Sequence, residues 1–217
     1  VEAVKILREV AAALAYAQAD AAVLIGPPPQ VGDRLSSECI RKAGEEARRL
    51  MPRDAHLLIA STLDPRDASG LCRDLDAVYT PVFVRLGSVF ADLQSQKFLL
   101  IGVAGETSSA NQSLVSHSLD VWCKDGKPDR PVLVYDPTSI ACAKLAINAT
   151  LSSRIAWAND VAVRAKAFGA DPAMVCKIVG MDPRIGPAFH LPGWPPGGPC
   201  LPRDLDVWLS APGQGMA

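Results

Sequence analysis

The feature that most constrains this chain is a long run without glycine or proline. From Thr138 to Phe168 nothing interrupts a helix, and Asp136-Pro137 stands just before it. At ~1.5 Å per residue the run makes a rod of ~46 Å, well beyond the ~8–20 residues of an ordinary globular helix. Ile140, Ile147, Leu151, Ile155, Ala158 and Ala162 recur at helical spacing and mark its apolar stripe. Lys144 and Asn148 lie on the same stripe, one turn apart. Two readings of that lysine stay open: an ammonium directed into a site, or a side chain snorkelling at the edge of a helix interface. Gly169 is expected to end the helix, Asp171-Pro172 to open another and Gly180 to close that one.

Upstream of the long run the pattern is different. A helix through about Gln18 is expected to lead into a buried strand, Ala21–Ile25, ended by Gly26-Pro27-Pro28-Pro29. Residues 36–50 carry charges at helical spacing, with Ser36 or Ser37 as a possible cap. His56–Ala60, Val78–Val84 (interrupted by Pro81), Phe98–Val103 and Val132–Val134 read as further short strands. Helical stretches between apolar strands predict an α/β layer with a mainly parallel sheet.

The 217 residues are 49% hydrophobic, enough for one large or two small domains with real cores. A net charge of −1 gives no electrostatic reason to expect nucleic acid or an anionic membrane as partner. No apolar run approaches the ~20 residues of a membrane span. The segment Val10–Tyr16 has a faintly signal-like apolar centre, but Glu2, Arg8 and Glu9 precede it, and it reads better as amphipathic helix. Six cysteines show no C-x-x-C pair, and the histidines at 56, 117 and 190 are scattered. The expectation is no metal site, reduced thiols and a cytoplasmic protein.

The remaining feature is Gly193-Trp194-Pro195-Pro196-Gly197-Gly198-Pro199-Cys200-Leu201-Pro202-Arg203-Asp204. It reads as a rigid Gly/Pro loop delivering one cysteine, with a cation and a carboxylate three and four residues later. An incidental thiol in a surface loop is the plainer alternative. Taken with Asp182-Pro183-Arg184-Ile185-Gly186 and Lys144-Leu145-Ala146-Ile147-Asn148-Ala149, the stretch resembles the UDP-glucose/GDP-mannose dehydrogenase family. That family carries D-x-R-I-G, then G-G-x-C-x-P-K-D, and K-L-x-x-N-A on its central helix. Ala19–Val23 with the proline turn, Ser61-Thr62, Thr80–Ser88 and Asn159-Asp160 are similar to further family segments.

The resemblance implies a partial Rossmann-like parallel sheet over residues 1–136 and an all-α central dimerisation domain over 137–210. Residues 211–217 remain as a tail, expected to be disordered. It implies NAD-dependent oxidation of a CH–OH group on a nucleotide sugar or related small hydroxyl substrate, through a cysteine-bound thiohemiacetal and thioester. On that basis Cys200 is the nucleophile, Lys144 and Asn148 stabilise the oxyanion, and Asp204 and Thr62 position water or accept a proton. Arg184, Phe83, Arg85, Gly197 and Gly198 fall at the substrate, and Arg203 and Pro27 at the cofactor. A homodimer follows, with Arg184 reaching the neighbouring subunit's substrate.

The departures are as informative. The chain holds no G-x-G-x-x-G. Val82 and Leu86 stand where the family has glutamates, and Arg203 where it has lysine. Two function classes therefore stay open: an oxidoreductase of the family type, or a degenerate member acting as a binding or scaffold protein or as a cysteine enzyme on another substrate.

Overall fold

The computed structural model describes residues 19–85, 87–105, 115–116, 118–119, 122–123 and 129–212 apart from 194. The helix expected up to Gln18, Leu86 and residues 213–217 of the tail lie outside the described residues. Two compact units divide the chain, one of residues up to 31 and 35–142, the other of 32–34 and 143 onward.

The first unit is an α/β layer. Its sheet has strand order β1 (Ala21–Leu24), β4 (His56–Ile59), β5 (Ala77–Tyr79), β6 (Leu99–Gly102), β7 (Val132–Tyr135). β1, β4 and β5 run parallel, as do β6 and β7, and a single antiparallel pair, Tyr79 with Gly102, joins the two sets. Between β1 and β4 come the two-stranded β2 (Gln30–Val31) and β3 (Arg34–Leu35) and helix α1 (Glu38–Leu50); α2 (Pro65–Asp74) and α3 (Val89–Gln94) follow β4 and β5. Neighbouring residues on a strand face opposite ways, so this sheet feeds two cores. Leu57, Ile59, Tyr79 and Leu100 pack with Leu63, Leu71 and Ile140. Val78, Leu99, Ile101 and Val103 pack with Cys123 on another cluster. Burial on both faces is why β4, β5 and β6 read as unbroken apolar runs rather than as alternation, whereas β1, expected as a buried strand, has only Leu24 buried and β7 has no buried residue.

Two expectations are corrected in this unit. The strand anticipated over Val78–Val84 stops at Tyr79, because Pro81 offers no N–H to a ladder. The short α2 and α3 were not foreseen from periodicity. α2 begins at Asp64, whose fully buried side chain accepts from the Arg66 N–H at 3.0 Å and from the Leu35 N–H at 3.2 Å. Burial raises that carboxyl, but its bonds to Arg66 outweigh it and hold it below the usual range.

The long helix α4 spans Pro137–Ala167 without a break. Asp136 caps it, accepting from the Ser139 N–H at 2.9 Å. Gly169, at φ +77°, follows its end. Two adjacent rows are buried, Ala141, Leu145 and Ala149 in one and Ile140, Lys144, Asn148 and Ser152 in the other, and Ala158 is buried further along, while Ile147, Leu151 and Ile155 are only half buried. The expected stripe is thus rotated toward its two polar members.

In the second unit α4 is followed by α5 (Pro172–Met181), capped by Asp171, which accepts from the Ala173 and Met174 N–H groups at 2.9 and 3.3 Å. Cys176 is fully buried and donates to the Ala158 carbonyl at 3.6 Å. Gly180 does not close α5, as anticipated, but sits inside it. A Cβ there would lie 3.2 Å from Pro187 Cα, so glycine serves close approach rather than termination. The last helix, α6 (Leu201–Leu209), corrects the reading of 193–204 as loop throughout. Pro202 falls in its first turn, where a missing N–H costs nothing.

Candidate functional site

The site is built where α4 and α6 supply their side chains to one buried cluster. An i, i+4 spacing puts Lys144 and Asn148 on one face of α4. Cys200 stands at the N-cap of α6, and Arg203 and Asp204 follow within its opening turns. Asp204 is completely buried; Lys144 and Asn148 are 7% and 9% exposed. Asp204 Oδ2 accepts from Asn148 Nδ2 at 2.6 Å. Its Oδ1 accepts from Arg203 Nε at 2.8 Å and from a terminal guanidinium nitrogen at 2.7 Å. A carboxylate can only accept, so this bond fixes which end of the Asn148 amide is the NH2.

Lys144 feels Asp204, Cys200 and Arg203. Burial is the largest effect on it. Asp204 and Cys200 oppose that, Arg203 adds to it, and the ammonium is pushed down to about 8. A group that exchanges its proton near neutrality is what carbonyl addition requires. Cys200 is exposed, whereas Cys72, Cys123 and Cys176 are buried and Cys142 is half buried. Burial pushes the Cys72 thiol up to about 12 and raises Cys123, Cys142 and Cys176 as well. The arrangement offers an accessible sulfur beside an ammonium and an oriented amide. Attack on a carbonyl, with stabilisation of the resulting oxyanion, is the chemistry it suits.

The other expected residues belong to the turn after α5, to the segment before Cys200 and to the α/β unit. Arg184 is on the turn after α5, largely exposed and paired with Asp182 at 2.7 Å. Gly197 and Gly198 are exposed in the segment leading to Cys200. Gly193 at the head of that segment donates to Asn159 Oδ1 at 2.8 Å, an anchor that the resemblance at Asn159-Asp160 did not assign. In the α/β unit, Pro27 lies in the turn after β1 and Thr62 just beyond β4. Ser61 bonds through its hydroxyl to the Gly26 carbonyl, tying these two strand ends together. Phe83 packs edge-on against Phe98, ring centroids 5.4 Å apart. Arg85 is held by Asp92 at 2.6 Å. Strand ends of this kind are where open α/β sheets take ligands. Among the described residues no His, Cys, Asp or Glu group could hold a metal, and no helix is long and apolar enough to cross a membrane.

Sequence reasoning missed the partnership of Arg203 with Asp204. The signal available was position alone: adjacent residues of opposite charge in the first turns of a helix.

Fold and site together define a mostly parallel α/β layer followed by helices that carry a cysteine–lysine–asparagine–aspartate constellation. The central-domain profile of the UDP-glucose/GDP-mannose dehydrogenase family matches residues 138–213. UDP-glucose 6-dehydrogenase AglM of Haloferax volcanii is 31% identical over 209 residues, covering 88% of this chain and 48% of that protein. The UDP-glucose 6-dehydrogenase of Gallus gallus is 32% identical over 132 residues, covering 61% of this chain and 26% of its own length. A UDP-glucose dehydrogenase structure from Pyrobaculum islandicum superposes with a TM-score of 0.78 at 28% identity, over 91% of this chain and 47% of that one. A UDP-D-ManNAc dehydrogenase from Pyrococcus horikoshii shares the fold, with a TM-score of 0.77 at 21% identity over 94% and 49%. The chain belongs to the UDP-glucose/GDP-mannose dehydrogenase family. It spans about half the length of AglM and of the Pyrobaculum protein.

Proposed function

We propose that this chain provides the cysteine chemistry of a nucleotide-sugar dehydrogenase. The observation that carries the reading is the buried Lys144–Asn148–Asp204 cluster beside an exposed Cys200. Cys200 Sγ bonds to the carbonyl carbon of a sugar aldehyde, and the thiol proton ends on the carbonyl oxygen, giving a thiohemiacetal. Lys144 donates toward that oxygen and Asn148 orients it. Only after an external two-electron oxidant has taken hydride from that carbon, with loss of the hydroxyl proton, is a thioester present; water then adds to it, the C–S bond breaks, and acid and free thiol result. Thr62 is the expected holder of that water. Arg184, Phe83, Arg85, Gly197 and Gly198 are proposed to contact substrate.

NAD is the oxidant that the family reaction implies, and the described residues fit its pyrophosphate poorly. Proline occupies three of the four positions of the Gly26–Pro29 turn, so it cannot offer the N–H groups that a dinucleotide phosphate needs. A protein of the cytoplasm is the compartment these free thiols favour. A homodimer is proposed because α5 leaves Met174, Ile178 and Met181 exposed on one face, at spacings of four and three.

The test is NMR of a 13C-labelled 6-aldehyde of UDP-glucose mixed with the chain. A thiohemiacetal signal is expected with wild type, weaker with Lys144→Ala and absent with Cys200→Ser. No adduct with wild type, or one that survives Cys200→Ser, overturns the reading. The prolines of the β1 turn and the apolar Val82 favour a second reading, in which the chain binds or scaffolds without nicotinamide chemistry. Calorimetry separates the two: NAD binding at micromolar affinity or tighter removes the second.

A further inference from the structure

We propose that Arg203 is a positioning residue, holding Asp204 in the one rotation that presents its other oxygen to Asn148. The inference rests on the cysteine-site reading above but concerns a residue which the resemblance placed at the cofactor.

The geometry is specific. Arg203 is only 11% exposed in its side chain, although it lies in the first turn of a helix. Two of its nitrogens, Nε and one terminal nitrogen, converge on Oδ1 of the adjacent aspartate at 2.8 and 2.7 Å. That leaves Oδ2 directed to Asn148 Nδ2 at 2.6 Å. The three groups form a relay from guanidinium to carboxylate to amide, and the amide belongs to the helix that carries Lys144. With both oxygens engaged, the Asp204 carboxylate is held as an acceptor on two sides. Rotation of its carboxylate would break either the forked contact or the amide bond.

The residue type matters. A guanidinium is a rigid planar fork that can set two N–H groups on one carboxylate, whereas an ammonium is a point charge on a flexible stem. The family's lysine at this place could keep the charge but not the fork. Arg203 therefore acts on the reaction through Asp204 and Asn148, without touching substrate.

The readout is hydrogen exchange of the Asn148 side-chain amide in 15N-labelled protein, assigned by its loss in Asn148→Asp. In wild type the proton bonded to Asp204 should be protected. In both Arg203→Met and Arg203→Lys that protection should fall by about tenfold or more, while the backbone amides of α4 stay protected. Unchanged protection of Asn148 in either variant overturns the proposal: in Arg203→Lys it would mean that charge alone suffices, and in Arg203→Met that Arg203 does not hold Asp204. Should Arg203→Met lose backbone protection throughout, Arg203→Lys decides the question. The measurement uses no substrate, so this proposal can fail while the Cys200 adduct forms, and can hold if it does not.

Discussion

Cys200 and Lys144 carry the consequences that belong to single residues. Cys200 is exposed at the start of α6 with a cation beside it, while burial raises four of the other five thiols. Limited alkylation followed by peptide mapping should find Cys200 labelled first, exposed Cys39 being its competitor, and Lys144→Ala should slow Cys200 but not Cys39. Equal rates at the two, unaffected by Lys144→Ala, would mark Cys200 as an ordinary surface thiol. Lys144 has a stability signature. Its ordinary value of 10.5 drops to about 8 in the fold. Between those values the unfolded chain holds a proton that the folded chain has released, so stability rises with pH across the window. The full effect of this group is on the order of 3 kcal/mol. The four raised thiols work the other way above about pH 9, so the readout is a difference: in denaturant titrations wild type should gain stability relative to Lys144→Met from pH 8 to 10.5, and a pH-independent difference would contradict it.

At the scale of elements, helix ends decide where the rods stop and start. Asp171 satisfies two N–H groups of α5 that have no partner inside the helix. Asp171→Ala should cost about 1 kcal/mol, as for other N-caps, seen as a lower denaturation midpoint with an unchanged slope. Much of this was readable in advance. Asp136 before α4, Asp171-Pro172 before α5 and the placement of Lys144 with Asn148 follow from spacing and capping chemistry. α6 was not readable. Nine residues are too few for a helix that holds itself, and a segment with Pro199 and Pro202 reads as loop until packing selects the helix. Val207 shows that packing, being buried on α6 while Trp208 and Leu209 stay exposed.

For the molecule as a whole, the exposed face of α5 sets the expectation for assembly. Met174, Ile178 and Met181 are 59%, 60% and 73% exposed, a contiguous apolar stripe on a short helix. Sedimentation equilibrium at micromolar concentration should give twice the 23.0 kDa chain mass, and Ile178→Glu should give the monomer. A wild-type monomer would remove the dimer from the proposal.

By itself the sequence determined the α/β layer, the unbroken α4 and the facing of Lys144 with Asn148. Each of these is a local or periodic property: apolar runs bury on both faces of a sheet, and an i, i+4 pair must share a helix face. What only the tertiary structure decided is the company those residues keep. Asn148 and Asp204 are 56 positions apart in the chain and 2.6 Å apart in the fold. No periodicity reaches that far, and whether Arg203 turns inward or out to solvent depends on a carboxylate that burial has made an obligatory partner. A buried charge must be compensated, and in this protein that requirement set the geometry of the site.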